Sequence, residues 1–276
     1  MSRIQFSKKI RASVIAIIVM LIWAFPVYWL INTALTPQGE LFTPTPHFFP
    51  ARPSFEHFKT ALFSANFSTY LTNSIIVTLL AVLIAIAIAF MACTALTMYR
   101  FKSQRKYMFA LMAMQMIPGT AMLIPQFIVF NRFGLLDTYS GVILAYVASI
   151  LPVSIWNMRS FFLSMPKTLF ESARVEGASE WQILTRITFP LAAPGIISTS
   201  VFAFIHSWND YVIAYTFMKT QSHYTLPVWL ATFSTPSGID IGAQMAASLL
   251  FSLPVVIFFM IVQHGLIQGS TQGAVK

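Results

Sequence analysis

The chain has 276 residues, of which 57% are hydrophobic and only 9% are charged. A soluble domain carries about 25% charged residues, so this composition excludes an ordinary soluble protein and predicts an all-α integral membrane protein. The net charge of +9 does not indicate a nucleic-acid partner, because the basic residues cluster between the apolar segments as a membrane topology requires.

Six apolar segments are long enough to cross a bilayer, which takes about 20 residues per helix. We interpret residues 1–276 as a single transmembrane domain with six helical spans. The first span follows four basic residues, but its length and the missing cleavage site indicate that it is retained rather than removed. The spans lie at approximately 12–35, 73–98, 107–131, 138–158, 194–217 and 244–264.

The distribution of lysine and arginine predicts that both termini lie in the cytoplasm. With the N-terminus inside, 13 basic residues fall on the cytoplasmic side and 4 on the opposite side. This is a strong positive-inside bias. It also places the loop 159–193 in the cytoplasm.

Two loops on the outer side are long. Residues 36–68 contain five prolines, which favour an extended chain, followed by a short interfacial helix from Phe55 to Leu62. Within the other loop, 218–243, the apolar run 225–233 either packs on the ends of the spans or contacts an external partner.

The most distinctive stretch is 171–190, which is charged and amphipathic in an otherwise apolar chain. Pro166 would occupy the first position of a helix that ends at Glu176, with Gly177 in the left-handed conformation that follows many helices. Ser179 and Gln182 have the spacing of a capping box that opens a second helix, and Pro190 would end it. We expect an ordered helix-turn-helix on the cytoplasmic side.

The sequence contains no glycine-rich phosphate loop, no paired histidines at metal-ligand spacing and no nucleophile elbow. We therefore expect no catalytic residues and no metal site. If the protein moves a solute uphill, the energy comes from a partner subunit or from an ion gradient.

One acidic residue, Asp210, falls inside a predicted span, and His206 lies four residues earlier on the same face of that helix. His206, Asn209 and Asp210 are candidates for a polar lining or gate of a transport pathway. The alternative is a satisfied structural pair near the membrane interface. The prolines inside the spans, such as Pro118, are interpreted mainly as packing kinks.

The spacing within 171–190 resembles that of a known loop. Glu171, Ser172 and Ala173 are followed after three residues by Gly177 and, nine residues later, by the run 187–190, Ile-Thr-Phe-Pro. This resembles the Glu-Ala-Ala loop of permease subunits in ABC importers. Four further runs resemble the carbohydrate branch, in particular the second permease of maltose-type transporters: Trp208–Tyr211, Thr225–Val228, Met245–Ser248 and Gly273–Lys276.

The resemblance implies a bacterial inner-membrane subunit that pairs with a second, homologous permease and carries a carbohydrate across the bilayer. It further implies an ATPase dimer below, which binds ATP and Mg, and a solute-binding protein outside. This chain would need no cofactor of its own and no nucleic acid. The loop 218–243 could touch the binding protein, and the tail 265–276 could reach the ATPase.

The helix from Lys167 to Glu176 would be the coupling helix, with Leu169, Phe170 and Ala173 as its apolar contact to the ATPase. The resemblance assigns the coupling role to Leu169, Phe170, Glu171, Ala173, Arg174, Glu176, Gly177, Ile187 and Pro190. An ion-coupled secondary carrier remains the alternative, although it leaves the 171–190 motif unexplained.

Overall fold

The computed structural model describes residues 3–45, 47–63, 66–99, 102–235 and 238–272. Helices dominate this described part of the chain, which confirms the all-α class. The helices are α1 Arg3–Leu35, α2 Glu56–Phe63, α3 Phe67–Met98, α4 Gln104–Gln115, α5 Gly119–Arg132, α6 Tyr139–Leu163, α7 Lys167–Val175, α8 Glu180–Gln182, α9 Phe189–Trp208, α10 Val212–Phe217, α11 Leu226–Ala231 and α12 Ile241–Gln272. Two-residue strands β1 (Ser234–Thr235) and β2 (Gly238–Ile239) pair antiparallel, with Ser234 opposite Ile239.

Within the described ranges, five helical stretches are long and apolar enough to cross a membrane. A sixth candidate is the bent pair α4–α5, so the predicted count of six is reached only if that pair crosses as one span. The cytoplasmic placement of the termini stays a prediction. The five stretches are Arg11–Leu35, Phe67–Met98, Tyr139–Leu163, Glu180–Trp208 and Ile241–Gln263.

The predicted third span, 107–131, is not one continuous helix. α4 ends at Gln115, α5 begins at Gly119, and their axes differ by 98°. Pro118 stands before α5 with ψ of 129°, an extended conformation. Proline has no N–H, its ring crowds the preceding turn and it disfavours a helical conformation of the residue before it, all of which favour a break at this point. Interpreting Pro118 as a kink within one helix was therefore wrong.

The predicted fifth span, 194–217, is displaced along the chain. The helical stretch begins at Glu180 and ends at Trp208, after which Asn209, Asp210 and Tyr211 separate it from α10. The predicted end of the second short helix at Pro190 is also wrong. Residues Ile183–Thr188 form a wide π-helical turn that leads directly into α9, so the helix passes through Pro190.

The chain forms two compact units. The first comprises Met1–Phe67 and Leu230–Leu253 and contains α2, which confirms the short helix predicted from Phe55 to Leu62. Inside this unit the buried His57 ring lies 2.9 Å from the Thr36 carbonyl oxygen. A side chain at Gly242 would overlap that ring, so glycine is required there. The prediction of a single domain stays a prediction.

The second unit comprises Ser68–Trp229 and Pro254–Lys276. Its interior includes Tyr146 of α6 and Trp208 of α9, both about 1% exposed. The run 225–229 is buried, and the Asn73 amide donates to the carbonyl oxygens of Ser222 and Tyr224 at 2.8 and 2.9 Å. This confirms that this part of the outer loop packs on the spans. Leu226 also donates its N–H to Ser74 Oγ.

Candidate coupling site

The end of α7 is a Schellman motif, which determines where the helix-turn-helix turns. Gly177 has φ of +84°, the left-handed region that glycine enters without steric cost. Its N–H donates to the Arg174 carbonyl at 3.1 Å, and the Ala178 N–H donates to the Ala173 carbonyl at 3.0 Å. These two bonds satisfy carbonyls that the helix leaves free. The predicted role of Gly177 in the turn is confirmed.

A capping box opens α8 two residues after Gly177. Ser179 Oγ accepts from the Gln182 N–H at 3.3 Å, and Gln182 Oε1 accepts from the Ser179 N–H at 2.8 Å. Both helix ends at the turn are therefore hydrogen-bonded, as predicted. At the other end of α7, Pro166 is the residue before the helix, with ψ of 126°, rather than its first helical residue. We call residues 167–182 the helix-turn-helix from here on.

A small apolar core supports the helix-turn-helix from within. Phe170 and Ala173 of α7 pack with Ile183, which is fully buried, and Ile187 of the π turn lies against the same cluster. Met98, Met165 and Ala178 complete it. Phe170 and Ala173 are each about 8% exposed, so they hold the two helices together instead of forming the exposed face of α7.

An ionic contact crosses the turn. Arg174 Nε lies 2.7 Å from Glu180 Oε1 and Nη2 lies 3.1 Å from Oε2, while the Tyr99 hydroxyl donates to Oε2 at 2.9 Å. The family resemblance assigns Arg174 to a contact with the ATPase, whereas the structure pairs it with Glu180. Neither Glu180 nor Tyr99 is predicted from the sequence to be part of this turn. The only signal for Glu180 was its place at the start of α8, where a carboxylate is favoured. Nothing in the local pattern pointed to Tyr99.

The helix-turn-helix carries exposed side chains along α7 and at its end, which we call the ridge. Val175 is 89% exposed and Leu169 is 42% exposed. Trp181 is 71% exposed but lines a separate apolar cleft with residues of α3, α9 and α12. Glu171 and Glu176 are also exposed. Large apolar side chains that stand in solvent beside carboxylates are typical of a protein-protein contact surface.

The π turn explains how the helix passes Pro190. The Phe189 N–H donates to the Leu184 carbonyl five residues earlier, and Thr188 Oγ1 donates to the Ile183 carbonyl at 3.1 Å. A wider turn shifts the hydrogen-bond register just before the residue that has no N–H. Pro190 thus lies in the first turn of α9, a position where proline is tolerated.

A cleft of about 550 Å³ adjoins the helix-turn-helix on the side of α3 and α6. Its walls mix apolar side chains with Lys102, Lys167, Glu171 and Arg174. Within the described residues, no cluster of three or more His, Cys, Asp or Glu could hold a metal ion.

Two of the three candidate pathway residues form hydrogen bonds with backbone groups. His206 and Asp210 interact electrostatically, but Asp210 lies beyond the end of α9. Its Oδ1 instead accepts from the Ile213 N–H at 2.9 Å, which caps α10. Asn209 donates to the Ile205 carbonyl at 2.8 Å. His206 and Asn209 are exposed, and a role for them in a pathway stays a prediction.

Comparison with known proteins identifies a family match over most of the chain. Residues 81–271 match the family described as "Binding-protein-dependent transport system inner membrane component". This range includes the whole helix-turn-helix and every described helix from α4 to α12 apart from the last residue of α12.

Two relatives are similar over nearly their whole length. The chain is 39% identical over 268 residues to a diacetylchitobiose uptake system permease protein of Streptomyces coelicolor, covering 97% of each chain. It is 30% identical over 253 residues to a trehalose transport system permease protein of Mycobacterium tuberculosis, covering 91% of this chain and 92% of the other.

A solved structure shares the fold. A chain of a bacterial ABC transporter involved in the import of the acidic polysaccharide alginate superimposes with a TM-score of 0.81. The superposition covers 96% of this chain and 98% of the other at 22% identity.

Proposed function

The chain belongs to the family of binding-protein-dependent transport system inner membrane components, and we propose that it serves an ATP-driven importer of carbohydrates. As a member of that family it is a multi-pass permease subunit of a bacterial inner membrane, and permeases of this family are not themselves enzymes.

The proposed substrate class rests on the relatives. The two relatives described above are named for diacetylchitobiose and trehalose, and both are oligosaccharides. The pathway would be enclosed by this chain and a second, homologous permease, with an extracytoplasmic solute-binding protein delivering the sugar. His206 and Asn209, which are exposed at the end of α9, are the polar groups we would test first as its lining.

The coupling proposal rests on one observation, the exposed ridge on a helix-turn-helix that is braced from within. Leu169 and Val175 offer apolar area, and Glu171 and Glu176 offer charge. We propose that this ridge seats on an ATPase subunit. Gly177 determines the angle between the helices, while Phe170, Ala173 and Ile187 keep them rigid.

In the proposed mechanism, ATP and Mg bind only to the partner ATPase subunits. Closure of the ATPase dimer moves the ridge, and the spans that continue from it move with it. α8, the π turn and α9 form one helical stretch from Glu180 to Trp208, so a displacement at the turn is carried along the axis of that stretch. The transporter then shifts between inward-open and outward-open populations.

The test is uptake by proteoliposomes that contain the whole transporter with its solute-binding protein. We expect uptake of a labelled oligosaccharide to require ATP and an active ATPase subunit, and to continue when an ionophore dissipates ion gradients. Uptake that stops with the ionophore and survives an inactive ATPase would establish the alternative, an ion-coupled secondary carrier. This chain reconstituted alone should hydrolyse no ATP.

A further inference from the structure

A basic cleft lies between α4 and α6. It has a volume of about 410 Å³ and is lined by Gln104 and Arg105 at the start of α4 and by Trp156 and Arg159 near the end of α6. Among the described residues that line it, none is acidic. The cleft therefore combines two permanent positive charges with an amide donor.

Arg159 has an unsatisfied donor beside this cleft. Its Nε is fully buried and has no hydrogen-bond partner within the described part of the chain, which costs free energy. Other atoms of the same side chain line the cleft. A guanidinium presents several N–H donors in a planar arrangement that matches phosphate or carboxylate oxygens.

An apolar crevice continues from the basic cleft. It has a volume of about 210 Å³, and Leu111, Gln115, Pro152 and Val153 contribute to its walls. Met112 and Trp156 line both spaces, so the two adjoin. Since residues 152 and 153 lie about two helical turns before Arg159 on α6, the crevice lies deeper along the span than the basic cleft.

Along the span, the basic cleft is followed by the apolar crevice, just as the charged headgroup of a phospholipid is followed by its acyl chains. Arg159 is four residues from the end of α6 at Leu163, a position at the edge of a membrane span. The basic cleft thus faces the depth of the headgroups, and the apolar crevice faces the hydrocarbon. Trp156, which is 46% exposed, has the amphipathic ring that is enriched at this boundary.

We propose that the α4–α6 cleft is a binding site for an anionic phospholipid. Its phosphate accepts hydrogen bonds from Arg105 and Arg159, and one acyl chain lies along Met112 and Trp156 into the crevice. Basic pockets between transmembrane helices bind such headgroups by the same chemistry. The proposal does not depend on the sugar or on the coupling role.

Brominated lipids, which quench tryptophan fluorescence on contact, test the proposal on the full chain in nanodiscs. The contribution of Trp156 is isolated as the difference between the wild type and Trp156→Phe. We expect brominated phosphatidylglycerol to quench this contribution at a mole fraction about fivefold lower than brominated phosphatidylcholine. Equal quenching by the two lipids would overturn the proposal.

Two variants distinguish lipid binding at the cleft from a general attraction of anionic lipid to positive surface charge. Arg105→Gln should raise the half-quenching mole fraction of phosphatidylglycerol about fivefold and leave quenching by phosphatidylcholine unchanged, which also shows that the cleft is intact. Lys106→Gln removes the same charge from the same helix, but Lys106 does not line the cleft. An equal loss in both variants contradicts a specific site.

Inorganic phosphate distinguishes a lipid from a soluble anion. At constant ionic strength, millimolar phosphate should not displace brominated phosphatidylglycerol, because the acyl chain contributes to lipid binding. Displacement would overturn the lipid proposal and identify a site for a soluble anion.

Discussion

Arg174 and Glu180 face each other across the turn of the helix-turn-helix, with Nε 2.7 Å from Oε1 and Nη2 3.1 Å from Oε2. The pair joins α7 to the start of the helical stretch that runs to Trp208. The two side chains are 37% and 54% exposed, so the contact contributes little free energy. Its planar, two-point geometry instead holds the relative orientation of the two helices.

Exchange of the two charges tests this orienting role. Arg174→Glu alone should lower ATP-dependent uptake several-fold, because it places two carboxylates together at the turn. The double variant Arg174→Glu, Glu180→Arg should recover most of the loss, and uptake by the complete transporter in proteoliposomes measures both. If the double variant stays as inactive as the single, Arg174 acts through the partner ATPase and not through Glu180.

Replacement of Gly177 tests the turn itself. A side chain there meets no atom within 4 Å, but φ of +84° strains any residue with a Cβ by about 1–2 kcal/mol. Gly177→Val should therefore uncouple ATP hydrolysis from uptake while the protein still inserts and assembles. Gly39→Val is the matched control, since its surroundings are equally open and its φ is ordinary; equal defects in both variants would contradict the role of Gly177.

Cysteine labelling tests the sidedness of the helix-turn-helix. Ser172 is exposed on α7. An impermeant thiol reagent should modify the Ser172→Cys variant in inside-out vesicles and not in intact cells. Gln221→Cys in the exposed part of the outer loop should give the reverse pattern. The native Cys93 is fully buried and donates to the Ile155 carbonyl, so the reagent should not label it in either preparation. Labelling of Ser172→Cys in intact cells would invert the predicted topology.

Asp137 holds the outer loop in place. Its carboxylate accepts from the Lys219 and Thr220 N–H groups at 2.9 Å, from the Thr220 hydroxyl and from His223 Nδ1 at 3.1 Å. Partial burial acts to raise the pKa of Asp137, but the hydrogen bonds from Thr220, Lys219 and His223 outweigh it and lower that pKa well below its ordinary value of 3.8. The native state therefore favours the ionised form.

The depressed pKa determines the direction of the pH dependence. The ionised Asp137 carboxylate stabilises the native state fully at pH values above its ordinary pKa of 3.8. This contribution is lost as the pH falls toward the lower pKa of Asp137 in the native state. Asp137→Asn should lower the free energy of unfolding at pH 7 by about 1–2 kcal/mol, and the difference from wild type should shrink below about pH 4. Thermal unfolding in detergent measures this, with Glu176→Gln as an exposed control. A difference that is constant from pH 7 to 3 would contradict the assignment.

Local features of the helix-turn-helix were predictable because they depend on neighbouring residues. A left-handed Gly177, the capping box of Ser179 and Gln182, and the class of the protein follow from backbone sterics, short-range hydrogen bonds and apolar segment length. The motif spacing that resembles an ABC importer permease is equally local, and the family match over residues 81–271 confirms the family. The predicted contact of the tail 265–276 with the ATPase stays a prediction, and its last four residues, Gly273–Lys276, lie outside the described residues.

What the tertiary structure alone decided depends on groups that are distant in sequence. The inward orientation of Phe170 follows from its packing on Ile183, and the bonds of Glu180 join it to Arg174 and to Tyr99, 81 residues away. Hydropathy averages over a window, so it could place a span near 107–131 but could not separate α4 from α5 at Pro118 or extend the fifth span back to Glu180. Composition and local stereochemistry determine which helices form, and contacts between helices determine which of their faces remain exposed to bind a partner.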